Sequence, residues 1–149
     1  MSKIRLEVEP KFFEQSESQA TGIIFFDFGK YQFPEVGWND FVLVILNWWL
    51  IALQNIVSGK SDKEEFRFME GPLYLVLNKI DRDRIVIECF DEASGENAEY
   101  SEEYHISDII EAVISSAKKI EKFALKQGYE KNDLREIRES LADLEALVS

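Results

Sequence analysis

The longest apolar stretch of the chain runs from Phe41 to Leu53, thirteen residues of which only Asn47 is polar. Pro34, Gly37 and the polar pair Asn39–Asp40 precede it, residue types that start a helix. Ser58–Gly59 follows, and a glycine there can take the left-handed conformation that closes one. The pattern predicts a single long helix over 39–58. At about 100° per residue, Asp40, Asn47, Gln54 and Ser58 fall on one narrow stripe and apolar groups cover most of the rest, so the helix must be buried on several sides. A membrane span needs about twenty consecutive apolar residues. Asn47, Gln54 and Asn55 interrupt the run, which favours a buried helix, or one partly buried against a second subunit.

Around this helix the period is two. Ile4, Leu6 and Val8 alternate with Lys3, Arg5, Glu7 and Glu9, the mark of a half-buried strand that Pro10 should end. Residues 11–21 read as a loop. The segment 22–28 (GIIFFDF) is apolar on both faces except at Asp27 and predicts an interior strand. Gly29–Lys30 suggests a turn, with a short return strand over 31–33. After Gly59 the segment GKSDKEE reads as a charged surface loop. Phe66 and Phe68 mark a further strand, Glu70–Gly71–Pro72 a turn, and 73–77 and 85–90 a hairpin joined through Asp81–Arg82–Asp83. A turn over 91–97 leads to a last strand over 98–104.

From there the period becomes helical. Ile106, Ile110, Val113, Ala117, Ile120 and Ala124 form one stripe, with Ser107 as its cap and Gly128 as its end. Leu134, Ile137, Leu141, Leu144 and Val148 form another, with Asp133 and Glu136 at capping-box spacing. The short connection predicts an antiparallel helical hairpin whose helices pack on each other and lay one side on the sheet. The expected fold is α+β: a mainly antiparallel sheet of five or six strands, one long buried helix inserted after the second or third strand, and a C-terminal helical hairpin. A single domain over 1–149 is expected, since a chain of this length can bury about two-thirds of its surface.

Charge changes the picture more than composition does. Seventeen basic against twenty-nine acidic residues give a net charge of −12, which argues against nucleic acid as a partner. No Lys or Arg lies between Ile85 and Ala117, while Glu88, Asp91, Glu92, Glu96, Glu99, Glu102, Glu103, Asp108 and Glu111 do. Such a window is either a solvated face or a surface that steers a basic partner. The first eight of these residues are the candidate partner-binding set. Cys89 is the only cysteine, and residues 1–10 carry no continuous apolar region, so the expectation is a cytoplasmic chain without disulfides, signal or membrane anchor.

No catalytic or cofactor signature emerges. Gly59–Lys60–Ser61 ends like a phosphate-binding loop, but Gln54 stands where the first glycine belongs, and the helix precedes the loop instead of following it. The acidic run from Asp91 lacks calcium-loop spacing, because Ala93 interrupts the ligand positions. One histidine and one cysteine cannot hold zinc. A Cys89–His105 nucleophile pair requires the last two strands to be neighbours, and nearby acids would oppose a thiolate. Glu102 and Glu103 point to opposite faces of a strand. The expectation is no enzyme, no metal and no cofactor.

Phe33–Pro34, Trp38–Asn39–Asp40–Phe41, Leu46–Asn47–Trp48–Trp49 and Glu70–Gly71–Pro72–Leu73–Tyr74 together resemble a pattern in small acidic bacterial α+β proteins assigned as immunity proteins of polymorphic toxin systems. The resemblance spans about forty residues and carries over no functional residue. It implies a non-enzymatic inhibitor that binds a toxin domain. The acidic window is compatible, because an acidic surface binds fast to the basic channel of a nuclease. The alternative is a structural or regulatory homodimer built on apolar surface in 22–57, where Phe25, Phe26, Phe28, Tyr31 and Phe33 crowd together.

Overall fold

The computed structural model describes residues 3–15 and 20–149, with backbone alone over 10–15. The described chain is α+β, with two antiparallel four-stranded sheets and three helices. The first sheet holds β1 (Arg5–Gln15), β2 (Ala20–Asp27), β3 (Gln32–Phe33) and β4 (Asn39–Asp40). β2 pairs with β1 and with both short strands. The second sheet is a meander of β5 (Lys63–Arg67), β6 (Leu73–Lys79), β7 (Arg84–Asp91) and β8 (Tyr100–His105). Between the sheets in sequence lies α1 (Val42–Val57), and after them come α2 (Ile106–Lys126) and α3 (Asn132–Val148).

Several expectations need correction. The strands form two sheets instead of one, and the long helix follows the fourth strand, because two-residue pairings at Gln32–Phe33 and Asn39–Asp40 are too short to leave a periodic signal. Pro10 does not end β1, whose register shifts between Glu9 and Glu14; an irregular stretch tolerates a residue without an amide hydrogen. The loop expected over 11–21 is therefore partly strand, and 16–19 lie outside the described residues. The charged loop after Gly59 already contains the first residues of β5.

Core packing follows the alternation. Leu6 pairs with Phe26 and Val8 with Ile24 in register, so these four buried residues share one face of the first sheet. On the second sheet Phe66, Leu75, Leu77, Ile87 and Cys89 are buried on one face. Trp49 of α1 joins the two faces: its ring lies 5.2 Å from both Phe26 and Phe66, nearly parallel to the latter at 11°, and its Nε1 donates to the Arg67 carbonyl at 3.1 Å. An aromatic body with one satisfied polar tip suits such a position.

The helical hairpin is arranged differently from the expectation. α3 packs chiefly on α1, and α2 lies along β1. Ser116 donates to the Leu6 carbonyl at 2.5 Å, and Lys119 to the Val8 carbonyl at 3.0 Å. Two side chains of α2 thus satisfy carbonyls on the edge strand β1, which would otherwise invite another strand. The expected caps also move. His105 precedes α2 and Lys131 precedes α3, neither with a side-chain cap, while Ser107 and Asp133 lie inside the helices. At the far end of α2, Gly128 has a φ of +73°, and Tyr129 N–H reaches back to the Ala124 carbonyl at 3.0 Å, a glycine-dependent close of the kind expected. No helix among the described residues is long and apolar enough to cross a membrane.

Candidate functional site

Strand register assigns the outward face of the second sheet. Because Phe66, Leu77 and Cys89 point into the core, their neighbours in each strand point the other way. These are Lys63, Glu65 and Arg67 on β5, Tyr74, Val76 and Asn78 on β6, Arg84, Val86, Glu88 and Phe90 on β7, and Ser101, Glu103 and His105 on β8. Tyr74 and Phe90 are direct cross-strand partners and stack at 5.2 Å and 12°. The Arg67 guanidinium sits 4.4 Å from the Tyr74 ring centroid, a cation–π contact. Val76 is only 6% exposed and yet lies outside the main core cluster, so this face carries an apolar centre of its own.

The charges around that centre are organised by two arginines. Arg67 bonds Glu65 at 2.8 Å and Glu92 at 3.2 Å. Arg84 bonds Asp81 at 2.8 Å and Glu103 at 3.4 Å. The Arg84 side-chain hydrogen bond holds the Asp81 carboxyl below its ordinary value. Each arginine is shared by two carboxylates, so each cluster keeps an excess negative charge. Glu88, held by Asn78 Nδ2 at 3.1 Å, adds another. All of these groups are solvated, and their pairings contribute little to stability; they matter as an acidic rim.

The structure does not gather the eight candidate acids into one surface. Glu88 and Glu103 lie on the outward face, and Glu92 reaches its corner through Arg67. Asp91 accepts from the Ala93 amide at 2.9 Å and from Ser94 Oγ at 3.3 Å, capping a single 3-10 turn over Glu92–Ser94. Glu96 is exposed in the following loop. Glu99 accepts from the Tyr31 hydroxyl at 3.0 Å, and Glu102 pairs with Lys30 at 3.5 Å; both are directed to the turn between β2 and β3. Asp108 opens α2 beside Lys3 and Arg5. The window is therefore continuous in sequence and divided in space. Glu65, missed by the sequence reading, belongs with Glu88 and Glu103, and its signal is the phase of Phe66 in β5.

The geometry keeps Cys89 and His105 apart. Cys89 is buried, and burial pushes its thiol well above the ordinary value. Although β7 and β8 are neighbours, Cys89 pairs with Tyr100 while His105 pairs with Arg84. The two side chains lie on opposite faces, about 16 Å apart along the strands. Glu102 and Glu103 diverge as expected, inward and outward. Among the described residues no group of three His, Cys, Asp or Glu side chains could hold a metal. Comparison of the chain with protein families, curated proteins and solved structures gives no match.

Proposed function

We propose that this chain is a non-enzymatic binding domain that presents the outward face of its second sheet to a basic protein, and that it acts as an immunity-type inhibitor of a basic toxin or nuclease domain. The supporting observation is the pairing of the stacked Tyr74 and Phe90 with two arginine clusters that each retain excess negative charge. Aromatic anchors inside a charged rim suit a protein interface, and the rim's sign favours a basic partner. Only Glu88, Glu92 and Glu103 of the eight candidate acids contribute; Glu65 joins them.

The test is affinity capture from native extract at low and moderate salt, comparing the native chain with a Tyr74→Ala/Glu88→Lys/Glu103→Lys variant. The expected result is one basic protein, retained at low salt, weakened by added salt and lost with the variant. Capture that the variant leaves unchanged would remove the sheet face from the reading. Capture of an acidic or neutral partner would remove the inhibitor of a basic domain.

A further inference from the structure

Most cations of the second sheet and the helical hairpin meet an acid. Arg67, Arg84, Lys118 and Arg138 each pair with a carboxylate. Lys79 and Arg82 form no ion pair, and both line a cleft of about 520 Å³ between the end of α1, the β6–β7 turn and the start of α2. Asp81, the acid beside Arg82, is committed to Arg84 at 2.8 Å. Asp83 is the one carboxylate among the lining residues and pairs with neither cation, while its backbone carbonyl accepts from Ile106 N–H at 2.8 Å. His105 and Ser107 also line the cleft, and neither side chain has a hydrogen-bond partner among the described residues. The remaining wall is apolar, with Ile56 and Ile106 buried and Val57 and Ile110 half-buried. One side of the cleft is therefore aliphatic and the other is rich in donors that find no acceptor within the chain.

We infer that this cleft binds a small organic anion, with a carboxylate or phosphate head on Lys79 and Arg82 and an apolar body against Val57 and Ile110. The donors select the head. Lysine and arginine offer only donors, and their strongest hydrogen bonds go to an ionised acceptor. The arginine fork matches two oxygens of such a head, and His105 and Ser107 bring further hydrogen-bonding groups beside it. The aliphatic wall selects the rest of the ligand. A bare inorganic ion leaves that wall wet, whereas an aromatic or aliphatic body removes its surface from water. An apolar wall with a few convergent polar groups, at this volume, is the make-up of a small-molecule site. The net charge of −12 repels a polyanion and so confines the class to ligands with one anionic head. Tyr74 lies about 17 Å from Lys79 along β6, so the cleft is separate from the stacked rings of the sheet face.

The test is an amide chemical-shift titration of the isotope-labelled full chain at low salt with phenyl phosphate and with benzoate, which share a ring and differ in the head. Inorganic phosphate supplies the head alone and benzyl alcohol the body alone. Lys79→Glu/Arg82→Glu reverses the two cations, and Lys122→Glu, at an exposed residue in the second half of α2, is the control. A native-like amide spectrum establishes that each variant is folded. Phenyl phosphate or benzoate is expected to give saturable shifts centred on Ser107 and Ile110. Affinity should fall about tenfold or more with inorganic phosphate, with benzyl alcohol and in the double variant, and stay unchanged in Lys122→Glu. If neither phenyl phosphate nor benzoate saturates, the inference is overturned. Equal affinity for inorganic phosphate also overturns it and reduces the cleft to a general attraction for counter-ions, and so does binding that survives Lys79→Glu/Arg82→Glu. The stacked rings enter none of these readings, so failure here is distinct from failure of partner capture.

Discussion

Trp38 Nε1 donates a 3.0 Å hydrogen bond to Oδ2 of Asp40, a carboxylate with no exposed surface. Three amides complete its shell. Phe41 N–H at 2.7 Å and Met69 N–H at 3.3 Å reach Oδ1, and Glu70 N–H at 3.1 Å reaches Oδ2. A single side chain thereby fastens the start of α1 to the loop between β5 and β6, and so links the two sheets across 29 positions of sequence between Asp40 and Met69. Charge-assisted bonds of this kind are the stronger ones.

Asp40→Ala should cost about 3 kcal/mol or more, because several buried donors lose their acceptor together. For a chain of this size that corresponds to a fall in Tm of about 6 °C or more. Asp40→Asn keeps one acceptor oxygen but turns an NH2 group toward other donors, so it should recover less than half of the loss. Thermal unfolding followed by circular dichroism decides this; a Tm within a degree or so of the native value for Asp40→Ala would show that the loop and α1 are held by apolar packing alone.

That shell also marks where the sequence stopped being readable. Asn39–Asp40 reads as a helix start, but the pair forms β4 and α1 begins at Val42 without a side-chain cap; the donors at Met69 and Glu70 come from a remote loop, and nothing in local spacing announces them. The polar stripe of the long helix was visible too, but its destination was not. Asn47 and Gln54 reach α3, and the large apolar residues of the helix that stand exposed are Trp48 and Ile51. Two apolar runs, 73–77 and 85–90, with the polar Asp81–Arg82–Asp83 between them, are sufficient to find the hairpin of β6 and β7. Such runs did not separate one sheet from two, since sheet membership depends on pairing partners and not on the strand's own pattern. The acidic window divides for two other reasons: contiguous residues on β7 and β8, such as Glu102 and Glu103, alternate between faces, and Glu96 and Glu99 lie in the connection between those strands.

The Tyr74–Phe90 stack yields a prediction that needs no partner. Tyr74→Ala and Phe90→Ala should each cost about 1 kcal/mol, with a coupling energy of about 0.5–1.5 kcal/mol between them. Urea denaturation of the two single variants and the double variant measures that coupling. Additive losses would mean that the rings touch without contributing jointly, and the face would lose its rigid aromatic anchor.

The α1–α3 seam predicts a second coupled pair. Ser140→Ala removes the donor to Asn47, and Asn47→Ala removes the acceptor from Ser140; each should cost about 1–2 kcal/mol in this largely buried setting. The double variant should cost less than the sum, because neither partner is then left unsatisfied. A double-mutant cycle in urea reports this directly, and strict additivity would refute the shared bond.

The last prediction concerns alkaline pH. Burial raises the Cys89 thiol above its ordinary value of 9.0, and burial, followed by hydrogen bonds to Glu99 and Tyr100 respectively, raises Tyr31 and Tyr104 above 10.0. Above those ordinary values the unfolded chain releases protons that the folded chain retains. The unfolded state then binds fewer protons, and stability must fall as pH rises. The contribution of these groups is complete below about pH 9, where all are neutral in both states, and declines first through Cys89 and then through the tyrosines. Urea midpoints taken in steps from about pH 7 to pH 11 should be flat at first and then drop. Cys89→Ala lowers the whole curve by its lost packing but should delay the onset of the drop toward pH 10. Tyr104→Phe should reduce the slope above it while leaving the onset in place. In the same samples a thiol reagent should spare Cys89 in the folded chain and react fully once urea unfolds it. If the onset does not move in Cys89→Ala, the thiol is not the group that titrates first, and its buried neutral state has no part in the alkaline limit of the fold.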